Sequence, residues 1–126
     1  MNDRAPKVFV VYENPDLNLT DAEQYGEITF VTARSWNPRR GSLANTEVVE
    51  AINRKIRAEF DPRRDYVILN GPPVIMGYAF AGFMRITAWA NANMGLDLSG
   101  FNVLSWDRVS QKYILGVAEL PAANNG

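Results

Sequence analysis

One junction constrains the fold of this chain more than any other segment. The continuous apolar run at residues 66–69 is typical of a strand that is buried on both faces of a sheet. It is followed directly by Asn-Gly-Pro-Pro at residues 70–73, which supplies a tight turn and a first helical turn that tolerates proline. The sequence therefore predicts a central strand that passes at once into a buried helix over residues 74–91.

Periodicity elsewhere predicts further elements. Residues 8–12 form a β-branched and aromatic run, and residues 27–32 alternate polar and apolar side chains, so both segments are predicted to be strands. Between them, Thr20 and Glu23 have the spacing of a capping box, and Gly26 is placed to end a short helix in the left-handed conformation. The connection between these two strands is therefore predicted to be partly helical.

A helix and a hairpin complete the pattern. Asn45 can cap a helix in which apolar side chains recur every three or four residues, and Pro62 follows its end. Residues 101–106 and 112–119 are strand-like runs joined by a turn, which predicts a terminal hairpin. The order of elements favours an α/β fold: a single-domain mixed sheet with a parallel core, two main helices and a C-terminal antiparallel hairpin.

Length and composition limit the domain count and the chemistry. At 126 residues, the chain can bury one core but not two, so we expect one domain over residues 1–126, with flexible ends at residues 1–6 and 121–126. Because histidine and cysteine are both absent, serine–histidine triads, thiol proteases and zinc hydrolases are excluded. No cofactor, metal or catalytic residue is predicted.

The charge balance argues against two classes of partner. The net charge is −1 and the sequence pI is about 5.4, so no overall positive field exists to attract nucleic acid. The longest apolar region is interrupted by Arg85, Gly77 and Gly82, so a membrane span is not predicted. We expect a cytoplasmic protein, in the host cytoplasm if the chain is viral.

A candidate ligand site follows from the predicted topology. If the second and third strands are parallel, the loops that follow them lie side by side at the sheet edge where open α/β folds bind ligands. A nucleotide or small anion would bind at Asn70 and Gly71, at the N-terminus of the second helix. Arg39 or Arg40 would hold its charge, and Trp36 would stack on a base. The alternative is a turn that only launches a helix, with solvated arginines and Trp36 as a hydrophobic plug.

Two groups of carboxylates have the chemistry but not the spacing of metal sites. Asp61 and Asp65 flank two arginines after the first helix, and we interpret this charged turn as solvated. Asp16, Asp21, Glu23 and Glu27 could bind a hard cation such as Mg²⁺, but Asp21 and Glu23 are better explained by the first turn of a helix, where the helix dipole favours negative charge. Neither group predicts a bound cation.

The terminal hairpin carries residue types that are enriched in protein interfaces. Trp106, Asp107, Arg108 and Tyr113 are candidates to recognise a partner, since Trp, Tyr and Arg dominate binding hot spots. The alternative is that Trp106 and Tyr113 pack on each other across the strands and stabilise the hairpin. Edge strands also pair between chains, so we expect a homo-oligomer.

Two segments carry a family resemblance. The first combines a strand with a glycine turn, and the second is a hairpin with a tryptophan–aspartate turn: Phe60, Asp61, Pro62, Asp65, Tyr66, Val67, Ile68, Leu69, Asn70, Gly71, Pro72 and Pro73, then residues 101–106, Asp107, Arg108 and Tyr113. In these segments the chain resembles small uncharacterised proteins encoded by tailed bacteriophages. The resemblance implies a phage accessory role, such as binding a host protein or a nucleotide signal, and it implies no activity or catalytic residue.

The sequence therefore predicts a non-catalytic binding protein of phage type. It would self-associate or act on a host protein or signal, through a surface built by the hairpin and the loop at residues 34–45. The alternative is a nucleotide or small-anion binding protein, or a carboxylate-dependent enzyme, that uses the crevice near Gly71.

Overall fold

The structure, a computed structural model, describes residues 4–39 and 43–121. Its elements, in chain order, are β1 (Lys7–Tyr12), a 3₁₀ helix (Asp21–Gln24), β2 (Glu27–Thr32), α1 (Leu43–Glu59), β3 (Tyr66–Ile68), α2 (Pro73–Met94), β4 (Gly100–Asp107) and β5 (Lys112–Glu119). The five strands form one sheet in the order β2-β1-β3-β4-β5, in which only β5 is antiparallel to its neighbour. The predicted mixed sheet, with two main helices and a terminal hairpin, is confirmed.

β3 is the middle strand of the sheet, as the sequence predicts, and β1 is the interior strand between β3 and β2. Val8 and its three successors are fully buried, so this strand is apolar on both faces and favours a neighbour on each side. It pairs in parallel with β2 through Val8–Ile28 and with β3 through Val8–Tyr66. The expectation that the loops after β2 and β3 are direct neighbours is therefore wrong, because β1 lies between the two strands although both run in the same direction.

Each face of the sheet has its own apolar layer. On one face, α1 and α2 cover a cluster of aromatic rings, in which Phe60 and Phe83 meet edge to face with 4.7 Å between centroids. The helices approach each other closely at Gly82, where an added Cβ would lie 3.0 Å from the Ile56 side chain. The opposite face is covered by the β1–β2 connection, which packs Tyr25 and other apolar side chains against the sheet.

Three predictions about local structure are wrong. The side chain of Thr20 makes no capping hydrogen bond, and the segment after it is a 3₁₀ helix. Gly26 is not left-handed; a Cβ there would collide with the carbonyl of Pro6, so close backbone approach explains the glycine. Asn45 lies inside α1 rather than before it, and its side chain accepts a 2.8 Å hydrogen bond from the backbone N–H of Asn37.

The charged turn between α1 and β3 is a partly buried ion-pair network. Asp65 is fully buried, and its carboxylate accepts a 2.8 Å hydrogen bond from the guanidinium of Arg4. The backbone N–H groups of Lys7 and Asp61 donate to it at 2.9 and 2.8 Å. The interpretation of this turn as solvated is therefore wrong for Asp65, whose partner is supplied from the other end of the sequence.

The same contacts fix the start of the described chain. The carbonyl of Pro6 accepts a 3.1 Å hydrogen bond from Glu27, and the carbonyl of Arg4 accepts one of 2.8 Å from Arg64. Of the two predicted flexible ends, residues 1–3 and 122–126 lie outside the described part of the chain, and Pro121 is exposed.

Two carboxylates of this region make the stability dependent on pH. A hydrogen bond from Lys55 lowers the pKa of Glu59, and Lys7 lowers it further. Burial alone would raise the pKa of Asp61, but hydrogen bonds from Arg63 and the charges of Arg63 and Arg64 outweigh burial and leave it lowered.

We therefore expect the free energy of unfolding to be highest above the ordinary values of 4.5 and 3.8 for Glu59 and Asp61, and to fall as pH drops through their lowered folded values. Urea denaturation at a series of pH values measures this slope. In Asp61→Asn, the free energy of unfolding should depend less on pH in acid. An unchanged slope in that variant would contradict a contribution of Asp61 to the pH dependence.

Candidate functional site

The predicted ligand residues Asn70 and Gly71 contact the end of β1. The backbone N–H of Tyr12 donates to the Asn70 side-chain oxygen at 3.0 Å, and the Asn70 amide donates to the Tyr12 carbonyl at 2.8 Å. The Asn70 side chain thus continues the parallel pairing after β3 has ended. Gly71 has a φ of 101°, and an added Cβ would collide with the Tyr12 side chain. Both residues therefore close the gap between β1 and β3.

Two of the other three predicted ligand residues, Trp36 and Arg39, lie on the loop after β2. The half-buried Trp36 packs on Tyr78 of α2, with 5.8 Å between ring centroids, and touches the helix-side core. Arg39 is exposed, whereas Arg40 lies outside the described residues. The structure thus brings Asn70 and Gly71 together on Tyr12 and places Trp36 on α2. Anion or nucleotide binding by this set stays a prediction.

The hairpin turn is ordered by Asp107. Its carboxylate accepts a 2.6 Å hydrogen bond from the Ser110 hydroxyl and 3.3 Å bonds from the backbone N–H groups of Ser110 and Val109. These bonds, the hydroxyl first, lower the pKa of Asp107. Arg108 is exposed beside it. Asp107 therefore shapes the turn, and Arg108 is left facing solvent.

Tyr113 ties the hairpin to the rest of the molecule. Its ring packs on Trp106 across the two strands with 5.0 Å between centroids, and its hydroxyl donates to the carbonyl of Asn18 at 3.0 Å. Burial raises the pKa of Tyr113, and the nearby Asp21 raises it further. The cross-strand packing alternative is thus present in the structure. Trp106 remains 39% exposed, so packing and recognition are compatible at this residue.

A cavity of about 270 Å³ joins the two predicted sites. Asn70 lies on one side of it and the pair of Trp106 and Tyr113 on the other, with Leu17 and Leu104 among the remaining lining residues. Sequence reasoning treated the strand end and the hairpin as separate. The direct pairing of β3 with β4 is what brings them together.

The hairpin also exposes a set of large apolar side chains, which we call the hairpin surface. Its members are all more than one third exposed: Trp106, Val109, Ile114, Leu115 and Val117. Because side chains alternate along a strand, Leu115 and Val117 share the face of the buried Tyr113, and Ile114 lies on the opposite face. The edge strand is therefore apolar on both sides.

The backbone of β5 is open along part of its outer edge. The N–H of Leu120 donates to Ser99 at 2.7 Å, and this register directs the backbone groups at even-numbered positions toward β4. Odd-numbered positions therefore face outward. At Tyr113 these groups are already bonded, to the Asp21 carboxylate at 2.6 Å and the Tyr25 hydroxyl at 3.3 Å. Within residues 4–39 and 43–121, nothing pairs with those of Leu115 or Val117.

The sequence did not predict that the apolar residues of β5 would be part of an exposed surface. Ile114, Leu115 and Val117 were interpreted only as strand residues, although the signal was present. In residues 112–119, apolar side chains occupy both alternating sets, and the charged residues Lys112 and Glu119 lie only at the ends. An edge strand with apolar side chains on both faces exposes part of them unless another element covers it.

The described residues include neither a group of side chains that could hold a metal ion nor a helix that could span a membrane. No three carboxylates within that part of the chain are arranged to hold a metal ion. Neither α1 nor α2 combines the length and the apolar content that a bilayer crossing requires, and these are the α-helices of the described ranges.

Fold and surface together define a small α/β protein with strand order 2-1-3-4-5, whose last strand leaves an apolar edge open. Comparison with protein families then places it more narrowly. The chain belongs to the family of Phage Pam3 gp32-like proteins, whose family profile matches residues 6–118. It is a phage-type protein, as the resemblance of its strand–turn and hairpin segments implied. No curated protein and no solved structure matches the chain.

Proposed function

We propose that this phage protein is a non-catalytic interaction protein that self-associates through the open edge of β5. One observation carries the proposal: the unpaired backbone groups of Leu115 and Val117 lie between exposed apolar side chains on both faces of the strand. Long apolar edges of this kind pair readily with a further strand. A second copy of this chain offers the same edge in the same form.

The outward-facing backbone N–H and C=O groups of β5 determine how two copies would pair. A two-fold axis makes the two β5 strands antiparallel, so outward-facing residues must meet outward-facing residues. Because the outward backbone groups of Tyr113 are already bonded, the outward-facing residues of β5 whose backbone has no partner in the described chain are Leu115, Val117 and Glu119. Centring the axis on Val117 pairs Leu115 with the partner's Glu119 and forms about six backbone hydrogen bonds. Gly116 then lies opposite the partner's Ala118, so two small residues face each other next to the axis.

The side chains favour the same arrangement. Ile114, Leu115 and Val117 are about half exposed, at 53%, 48% and 50%. Full burial of such a side chain contributes about 1.5–3 kcal/mol, so each has roughly half of that to gain. Glu119 faces Leu115 rather than a second carboxylate, which avoids like-charge repulsion. Association costs several kcal/mol or more in lost freedom, so we expect a dissociation constant at or above about 1 μM.

Sedimentation over a range of concentrations tests this proposal. The parent chain should shift from monomer to dimer as concentration rises, and Val117→Lys should weaken association at least tenfold, because it places charge at the axis. Leu43→Lys is the matched control: Leu43 is 80% exposed on α1, so that variant should associate like the parent. A parent chain that stays monomeric throughout would overturn self-association and leave a host protein as the occupant of this edge.

A backbone variant separates strand pairing from simple apolar contact. The N–H of Val117 faces outward, so Val117→Pro removes a donor from the open edge without removing a bond to β4. If pairing is through the backbone, this variant should also fail to dimerise while remaining folded by circular dichroism. Full dimerisation of Val117→Pro would contradict the proposed pairing.

A further inference from the structure

A second cavity lies at the opposite rim of the sheet from the loop after β3. It has a volume of about 470 Å³ and lies where the C-terminal ends of α1 and α2 meet the turn before β3. We propose that this cavity binds an organic anion with a flat apolar body, such as an aromatic carboxylate or sulfonate. The inference is independent of the β5 edge, which lies in the hairpin.

The cavity has an apolar floor and an aromatic wall. Phe60 and Ala90 are buried beneath it, and Ile86 also lines it. Trp89 is 56% exposed and Met94 is 41% exposed, although both side chains line the cavity. A flat ligand would cover the exposed indole and thioether. The volume falls within the range of about 300–1,000 Å³ that is usual for small-molecule sites.

Among the residues that the structure describes, the charged groups around the cavity leave one cation without a partner, Arg57. Glu59 is bonded to Lys55 at 2.8 Å and to Lys7 at 3.0 Å, so its charge is already balanced. Asp61 is held by Arg63 and Arg64, each at 3.1 Å. Arg57 lines the same cavity, is exposed, and makes no ion pair or hydrogen bond with any residue that the structure describes. Its guanidinium is free to bind a carboxylate or sulfonate through two parallel hydrogen bonds.

The negative ends of the helix dipoles disfavour an anion in this cavity, but the basic side chains outweigh that effect. A helix C-terminus carries a partial negative charge, and α1 and α2 both end near this cavity. For α1 that charge is offset, because Arg4 donates to the carbonyl of Glu59 at 2.7 Å. The charged residues that line the cavity are three arginines and two carboxylates, Arg4, Arg57, Arg63, Glu59 and Asp61. The cavity therefore carries a local excess of positive charge in a chain whose net charge is −1.

These features select the class of ligand. A polyphosphate would leave the floor at Phe60 and the ring of Trp89 uncovered, and a neutral hydrocarbon would leave Arg57 unused. A single negative charge attached to an aromatic body satisfies both parts of the cavity.

Two dyes of similar shape test the proposal. The charged probe is 1-anilinonaphthalene-8-sulfonate, and the uncharged one is N-phenyl-1-naphthylamine, which lacks the sulfonate. We expect the charged probe to bind the parent chain, with a rise in dye fluorescence and quenching of tryptophan emission. Arg57→Gln should weaken its binding about tenfold, which corresponds to about 1.4 kcal/mol, and leave the neutral dye unaffected. Trp89→Ala should weaken the binding of both dyes.

Two control variants keep the result specific. Arg54→Gln removes an exposed arginine of α1 that does not line this cavity, and Val117→Lys changes the hairpin surface. Both should bind the charged dye like the parent. The proposal is overturned if the parent does not bind the charged dye, if Arg57→Gln binds it as tightly as the parent does, or if Val117→Lys abolishes binding. Equal urea midpoints for all variants would exclude unfolding as the cause.

Discussion

Replacing Asp65 with alanine is expected to lower the free energy of unfolding by about 3 kcal/mol. The substitution removes a fully buried carboxylate and leaves the guanidinium of Arg4 and two backbone N–H groups without their acceptor. Breaking a buried ion pair from one side typically costs about 3–5 kcal/mol. The Arg4 side chain is 27% exposed, so water compensates part of the loss and we expect the lower end of that range. Urea denaturation at neutral pH measures the effect.

Two further variants make this first result interpretable. Arg4→Ala should destabilise the fold by a similar amount, and the double variant should lose less than the sum, since both changes remove one interaction. Asp97→Ala, in the exposed loop before β4, should change stability by less than about 0.5 kcal/mol. A loss below 1 kcal/mol for Asp65→Ala would show that the ion pair contributes little.

Replacing Gly71 with alanine is expected to cost about 3 kcal/mol as well. The residue has a φ of 101°, where a side chain is strained, and the new methyl group would collide with the Cβ of Tyr12. Backbone strain of this kind costs about 1–3 kcal/mol, and overpacking adds a similar amount. The clash cannot be relieved by a side-chain rotation, because it involves the first carbon of Tyr12.

Gly77→Ala is the matched control for Gly71→Ala. Gly77 lies in the exposed side of α2, and an added Cβ meets no atom within 4 Å. Alanine is favoured over glycine within helices by up to about 1 kcal/mol, so this variant should be more stable than the parent. Thermal denaturation of the two variants side by side measures both effects. A stable Gly71→Ala variant would mean that the contact with Tyr12 does not require glycine.

The elements that sequence reasoning predicted well are those with local signals. The buried strand before Gly71 and the proline-led helix after it form as expected, because turn chemistry and apolar periodicity act over a few residues. The terminal hairpin is also local, since its strands are joined by a short turn. These elements, with the order in which they occur, were sufficient to predict the mixed sheet.

The errors arise where a distant partner decides the outcome. Asp21 lies in the first turn of the 3₁₀ helix, as predicted, but the hydrogen bond that it accepts from the backbone N–H of Tyr113, 92 positions later in the sequence, was not predicted. Asp65 was assigned to a solvated turn, but Arg4 is its partner across 61 positions. The prediction that β2 and β3 are neighbours was wrong for a related reason, because β1 pairs with both of them. Single-sequence patterns contain no information about which distant groups meet.

The candidate surface was predicted in part. The hairpin was singled out through Trp106 and Tyr113, and the structure adds Ile114, Leu115 and Val117 beside them. Their exposure depends on β5 being an edge strand of the sheet. That arrangement follows from topology, whereas the residue types alone are equally compatible with burial.

The interior position of β1, between β2 and β3, has a consequence for how the chain is made. This strand is synthesised before its partner β3, which begins at Tyr66, and before β4, which begins at Gly100. At synthesis rates of about 5–20 residues per second, Val8 and its apolar neighbours stay without a second partner for a period on the order of seconds. We therefore expect the nascent chain to depend on host chaperones during that interval, and its yield to fall when translation is slowed.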